Sequence, residues 1–331
     1  MIPNQWYAVL ESREIKRGEV LGATRMGMKL AFWRTSDNSL YCIKDQCIHR
    51  GAALSKGDVI HHHLQCPFHG FEYDYTGKVK IIPAIGRNSK VAEHFRQDTF
   101  TVQEIGGLVF LWWGESEIDL KNLPTIPMFE ELADKNFRYN TITDHWAVHY
   151  SLAIENQLDV VHLPFVHKTT IGRGNRTVIL GPGVELINEN GINELQVWVR
   201  NEKDIGQDSI QKKIPRINKA MLYFRFPNIW MNRISDNTRI FVAFSPIDDM
   251  NTLMYVRFYQ KGGLPFFRSL FGKFGALGNR IILRQDKKVV ITQNPKKSSY
   301  PIVEQKLIHG DRPIIEYRKL RSELKARIKS S

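Results

Sequence analysis

Cys47-Ile48-His49 and Cys66-Pro67-Phe68-His69, separated by sixteen residues, decide how the first third of this chain folds. Each knuckle offers one thiolate and one imidazole. Structural zinc is indifferent to which ligand comes from which knuckle, and its modules usually present paired cysteines. Mixed pairs suit a [2Fe–2S] cluster whose two irons differ, one held by both cysteines and the other by both histidines. Gly51 and Gly70 follow the histidines closely and permit tight turns. Pro67 stiffens the second loop. A structural zinc site is the plainer alternative, and it would leave the protein colourless.

Around these loops, residues 1 to about 115 read as short strands. Trp6 to Leu10, Lys29 to Arg34, Leu40 to Ile43 and Leu108 to Trp113 are β-rich and bounded by Gly, Asp or Asn. A segment with Pro124 and Pro127 reads as a connector. Beyond it the pattern changes. Asn140 to Thr143 suggests a strand and Ala147 to Val161 a helix. Antiparallel strands follow from Val178 through Tyr259, with turns at Asn190-Gly191, Ser235-Asp236-Asn237 and Asp248-Asp249. Leu277 to Thr292 reads as a late helix. The expected division is 1–117, a linker 118–136, and 137–331. The expected class is α+β: an all-β first domain, then a curved antiparallel sheet with helices over one face.

The predicted first helix carries Asn156, Asp159 and His162 at intervals of three, on one face. His167 lies five residues past His162, pointing elsewhere on an unbroken helix. Leu163-Pro164 is expected to end that helix and fold His167 back beside His162. Two histidines need one carboxylate to make the facial triad of a non-haem Fe(II) site. Asp286, in Arg284-Gln285-Asp286-Lys287-Lys288, competes with Asp248 and Asp249, which sit in a turn.

The order of these motifs resembles that of Rieske non-haem iron oxygenases over nearly the whole chain. The motifs are the C-x-H and C-x-x-H pair, then Asn156 to His162 with His167, then a late helical Asp. The modest length resembles the branch that includes vanillate O-demethylase-like and pheophorbide oxygenase-like proteins. The resemblance implies a Rieske β domain followed by a helix-grip (START-like) catalytic domain. It assigns Cys47, His49, Cys66 and His69 to the cluster, and His162, His167 and Asp286 to a mononuclear Fe(II). It implies O₂ as cosubstrate and NAD(P)H electrons arriving through a reductase or ferredoxin. It further implies a homotrimer in which Asp159 accepts hydrogen bonds from His162 and from His69 of the next subunit. Asn156 is read as a pocket residue near the iron. Ala52, Phe68 and Phe71 occupy places where respiratory Rieske proteins carry extra cysteines and a serine donor. The expected potential is therefore toward the lower end of roughly −150 to +300 mV. Hydroxylation or oxidative demethylation of an apolar or aromatic small molecule follows from the resemblance. An electron carrier or redox sensor using only the cluster is the alternative, although it leaves the remaining two thirds of the chain unexplained.

Composition sets outer limits. The chain has 331 residues, 42% hydrophobic and 24% charged, an ordinary globular balance that suggests two domains. No window offers the ~18 uncharged apolar residues of a membrane span; Gly262 to Leu283 is interrupted by Arg268, Lys273 and Arg280. The amino-terminal stretch lacks the pattern of an export signal. Of three cysteines two are claimed by the cluster, so Cys42 is expected as a buried thiol and a disulfide framework is excluded. A reducing cytoplasm is the expected compartment. The net charge is +13, partly from Arg318, Lys319, Arg321, Lys325, Arg327 and Lys329, read as a face steering an acidic electron donor. No recognition motif supports nucleic-acid binding. His61-His62-His63 reads as an exposed turn and Trp112-Trp113 as packing. Some of Phe224, Phe226, Trp230, Met231, Phe241 and Phe244 are expected to line an apolar pocket.

Overall fold

The computed structural model describes residues 1–114, 120–207, 220–261, 265–303 and 305–327. Two compact units emerge, Trp6–Leu123 and a larger one formed by Met1–Gln5 with Pro124–Ser331.

The smaller unit is all β. Gln5–Glu11, Leu108–Trp113 and Val102–Ile105 make one small sheet, the last two strands antiparallel. Val20–Arg25, Met28–Arg34, Leu40–Lys44 and Thr99–Phe100 make a second, and Asp58–Ile60, His63–Gln65, Glu72–Tyr73 and Val79–Ile81 a third. Trp33, Ile43, Leu54, Leu64, Phe71 and Tyr73 form one apolar cluster that takes in Cys47 and Cys66. Cys42 is a buried free thiol, as expected. Trp112 packs edge-on against Trp6, ring centroids 5.5 Å apart, which is the packing role read from the sequence.

The larger unit is built on seven antiparallel strands: β1 (Arg138–Trp146), β2 (Val178–Glu189), β3 (Ile192–Glu202), β4 (Leu222–Arg225), β5 (Ile229–Ser235), β6 (Thr238–Pro246) and β7 (Thr252–Gln260). Their spatial order is β1-β7-β6-β5-β4-β3-β2. After β1 the chain leaves the sheet for helices α1 (Tyr150–Leu158) and α2 (Leu163–Val166), then returns at the far edge. Meanders need only tight turns, and Asn190-Gly191, both at positive φ, supply the one between β2 and β3. Two later helices, α3 (Pro265–Val290) and α4 (Arg312–Ala326), complete the unit. Alternation along the strands sorts the two faces. Leu222, Asn232 and Ile240 lie opposite one another across β4, β5 and β6; Trp230, Val242 and Val256 do the same across β5, β6 and β7. Phe224 and Phe226 pack against Tyr317 of α4 at centroid distances of 5.3 and 5.6 Å.

Behind the sheet, Ile126, Met128, Phe129 and Leu132 are buried. Phe129 meets Phe241 edge-on, and Glu131 pairs with Arg233 and Arg239 at 2.9 and 3.1 Å. This stretch, read as connector, is therefore part of the larger unit's packing. The early part of the expected linker includes 118 and 119, which lie outside the described residues. α4 also differs from the sequence reading. Arg318 and Arg321 are buried rather than on a basic face, and Arg318 Nε and Nη2 donate to the Glu155 carboxylate on α1 at 2.8 and 2.6 Å. Lys329 lies outside the described residues.

Candidate metal centres

The two cysteine–histidine knuckles adopt the same backbone closure. Cys47 O accepts from Gly51 N at 2.8 Å while Cys47 N donates to Ala52 O at 2.7 Å. Cys66 O accepts from Gly70 N at 3.1 Å while Cys66 N donates to Phe71 O at 2.8 Å. Gly51 and Gly70 both have φ near +70°, conformations a side chain would strain. One loop follows Leu40–Lys44 and the other links His63–Gln65 to Glu72–Tyr73, so the sheets hold them tip to tip. The sulfurs are rooted in the apolar core, and His49 Nδ1 and His69 Nδ1 converge to 3.2 Å at the more exposed edge. Burial pushes the Cys66 thiol pKa up, and Cys47 beside it pushes it further, so ionised sulfur here needs a bound cation. Two inward sulfurs and two outward imidazole nitrogens fit an asymmetric [2Fe–2S] cluster.

Tyr73 was missed in the sequence. Its hydroxyl lies 3.1 Å from Cys47 Sγ and accepts from Ile48 N at 3.1 Å, leaving its proton free to point at the sulfur. A donor to a candidate ligand sulfur therefore exists, although Ala52, Phe68 and Phe71 supply none by side chain. His61 and His62 are exposed as expected, but His63 starts a strand and faces Glu72 at 3.5 Å.

The second centre corrects the expected helix. α1 stops at Leu158, and Asp159 adopts extended backbone (ψ 121°) as its C-cap. Asp159 Oδ1 then accepts from the backbone N–H groups of Val161 and His162 at 2.7 and 3.2 Å, holding a turn. His162 caps the short α2, and Pro164 opens that helix instead of ending the first. Asp159 and His162 therefore share no helix face. Gly172 lets the loop close: a Cβ there would meet Leu163 O at 2.0 Å. His162 and His167 do come together, ring centroids 5.2 Å apart.

Asp286 joins them from α3. Its Oδ1 lies 3.4 Å from His162 Nε2 and 2.9 Å from His167 Nε2, and one ligand atom from each of the three residues falls within 4.8 Å of the others. Despite that proximity Asp286 Oδ1 makes no aligned hydrogen bond among the described residues. The three atoms converge on one small volume, which fits a facial triad. Burial alone would lower the His162 pKa and raise that of Asp286. Attraction between them and from Asp159 outweighs burial, raising His162 to about 9 and lowering Asp286. The site favours positive charge. Asp248 is instead engaged in its turn, accepting from Met250 N and Asn251 Nδ2.

Gln285, unremarked in the sequence, accepts at Oε1 from His167 Nδ1 (2.9 Å) and from Thr170 Oγ1 (3.0 Å). That contact fixes the tautomer presenting His167 Nε2 toward Asp286. Asp159 Oδ1 lies 3.6 Å from His162 Nδ1. The triad opens into a cavity of about 540 Å³ lined also by Asn156, Trp198, Trp230, Val242, Val256 and Leu283. Of the six sheet residues singled out by alternation, only Trp230 lines it.

Residues 5–105 match the Rieske [2Fe-2S] domain family, and residues 146–327 match the vanillate O-demethylase oxygenase C-terminal domain family. The chain belongs to the vanillate O-demethylase branch of the Rieske oxygenases. This Rieske oxygenase chain is 33% identical over 177 residues to cholesterol 7-desaturase of Xenopus laevis, covering 52% of the chain and 37% of that protein. It is 31% identical over 187 residues to the oxygenase component of dicamba O-demethylase of Stenotrophomonas maltophilia, covering 55% and 54%. The aligned segments thus span about a third to a half of those relatives. The fold is shared with NdmA of Pseudomonas putida CBB5 in a caffeine-bound structure (TM-score 0.75, 22% identity, 99% and 92% covered). It is shared equally with dicamba monooxygenase bound to dicamba (0.74, 19%, 100% and 99%). No helix among the described residues is long and apolar enough to cross a membrane.

Proposed function

We propose that this chain is the oxygenase component of a Rieske-type system. It would use O₂ and reductase-derived electrons to hydroxylate or oxidatively demethylate a small molecule with an apolar body. The observation that carries this reading is the convergence of His162, His167 and Asp286 at the wall of a largely apolar cavity. That cavity belongs to a chain which also carries the two-cysteine, two-histidine knuckles. Residues 1–117 would serve the cluster and 137–331 the chemistry, joined by 118–136. Cys47, His49, Cys66 and His69 would hold the cluster, and His162, His167 and Asp286 an Fe(II). Bound there, the two centres supply one-electron transfer and O₂ activation.

The chain's own residues do the rest. Gln285 orients His167, and Asp159 holds the His162 turn while facing its Nδ1. Asn156, which lines the cavity, would place a polar residue beside the reacting centre. The apolar wall excludes bulk water, which protects reactive species from side reactions. A cytoplasmic homotrimer, with Asp159 of one subunit also accepting from His69 of the next, would link the two centres.

A screen of apolar and aromatic compounds under O₂ with a surrogate reductase tests this. Oxygenated or demethylated product is expected, absent without O₂ and absent in Asp286→Ala. A wild-type protein that passes electrons to acceptors but yields no product would favour the carrier alternative.

A further inference from the structure

The turn that carries Asp159 is gripped from outside. Asp159 Oδ1 is held by the N–H groups of Val161 and His162, so a shift of the Val161 backbone moves that carboxylate and His162 together. Gly310, buried in the short helical turn His309–Asp311 ahead of α4, packs against this point. A Cβ at position 310 would stand 2.5 Å from Val161 Cγ2, far inside contact distance. The φ of Gly310 lies outside the left-handed region, so its backbone would accept alanine and only the contact excludes a side chain. Valine is stiff at χ1, so its methyl has little freedom to swing aside and the strain passes to the backbone.

The segment that presents Gly310 is also tied to the other side of the same turn. Ile308 N donates to Asp311 Oδ2 at 2.8 Å and Asp311 N to Ile308 O at 3.0 Å, which fixes the local shape around Gly310. Arg318 of α4 donates from Nη1 to Gln305 Oε1 at 2.7 Å, closing the segment 305–318 on itself. The same guanidinium holds the Glu155 carboxylate, and Glu155 O accepts from Asp159 N at 2.8 Å. One segment thus meets the turn on both sides of Asp159, by an ion pair at Glu155 and by bare backbone at Val161. Close-packed interiors transmit such contacts with little give. We propose that Gly310 is a positioning residue: its missing side chain lets segment 305–318 clamp Val161, which fixes where the Asp159 carboxylate and the His162 imidazole stand. Gly310 and Val161 lie outside the cavity lining, so they reach the site only through the turn. The consequence for iron rests on the oxygenase reading, whereas the clamp itself does not.

Amide hydrogen exchange tests this on the iron-loaded protein, in wild type, Gly310→Ala, Val161→Ala and the double variant. In Gly310→Ala the amides of Val161 and His162 should exchange about tenfold or more faster, the size expected when one methyl overpacks a buried contact. Without Cγ2 the nearest remaining Val161 atom, its Cβ, lies 3.9 Å from the added methyl, an ordinary contact. Changing the glycine in the Val161→Ala background should therefore speed exchange by about threefold or less. Fe(II) affinity should follow the same pattern, about tenfold weaker in Gly310→Ala and nearly restored in the double variant relative to Val161→Ala. Amides of β6 should exchange alike in all four proteins. Unchanged exchange in Gly310→Ala would overturn the proposal, as would an equal effect of the glycine change in both backgrounds. So would equal acceleration across β6, which reports lost stability rather than a local clamp. Should Gly310→Ala fail to fold, recovery of a folded double variant supports the clamp and failure of both overturns it. None of these readouts needs turnover. A chain that shows the rescue but yields no oxygenated product would sink the oxygenase reading and leave the clamp standing.

Discussion

The two histidine-bearing centres are assembled by different means. The cysteine–histidine knuckles each close on their own backbone with the same hydrogen-bond pattern, and their sulfurs belong to the core of one small β unit. The triad is long-range instead: His167 meets Gln285 across 118 positions of sequence, and α3 must lie correctly on the sheet for Asp286 to reach the histidines. The knuckles need local turns, whereas the triad needs the whole larger unit packed. That difference predicts which perturbations separate the two centres.

The sharpest break falls on the Arg318–Glu155 pair, whose side chains are only 5% and 8% exposed. Glu155→Ala leaves a buried guanidinium uncompensated, and it is expected to cost the larger unit about 3–5 kcal/mol. Denaturant unfolding should show that loss, with mononuclear iron released while the visible cluster spectrum persists.

Acid should act on the same unit. Buried His149 has its pKa pushed down to about 2 by burial, then by Arg321, Lys297 and Lys325. Its Nδ1 caps α1 by accepting from Ser151 N at 3.2 Å, a role only the unprotonated ring can fill. The unfolded chain takes up this proton below the ordinary value of 6.5 while the folded chain resists to about 2. The stabilisation is therefore complete above 6.5 and falls as pH drops, at about 1.4 kcal/mol per unit. His149→Asn keeps an acceptor at the cap and should flatten the unfolding profile between pH 6.5 and 5.

A narrower change distinguishes orientation from ligation. Gln285→Leu leaves all three proposed ligands in place but frees the His167 ring, and Fe(II) affinity should fall about 10–100-fold. Equilibrium titration with Fe(II) checks this. At the other centre Tyr73→Phe removes one hydroxyl beside Cys47. Losing a donor worth about 0.5–1.5 kcal/mol should lower the cluster's potential by about 20–60 mV, measured by redox titration.

Legibility in the sequence followed the same division. Residue types and spacing in the knuckles are local, so Cys47, His49, Cys66 and His69 stood out directly as candidate ligands. The sheet was legible from alternation and its turns. The pairing of His162 with His167 was anticipated, but for the wrong reason: the chain turns at Asp159, whose carboxylate binds two backbone amides, a contact that helical spacing does not reveal. Residue patterns alone left Asp286 in competition with Asp248 and Asp249, because only the packed fold shows which carboxylate reaches two imidazoles. Gln285 was readable by asking what satisfies the second nitrogen of each candidate liganding histidine. Tyr73 carries no motif, and its role depends on register and burial.

Iron and acid-labile sulfide counted per chain, in wild type and Asp286→Ala purified anaerobically, test most directly whether two separate iron centres exist. Three irons and two sulfides are expected in the wild type, and two irons with an unchanged visible spectrum in the variant. Two irons in both proteins, or loss of the cluster spectrum on changing Asp286, would contradict the account.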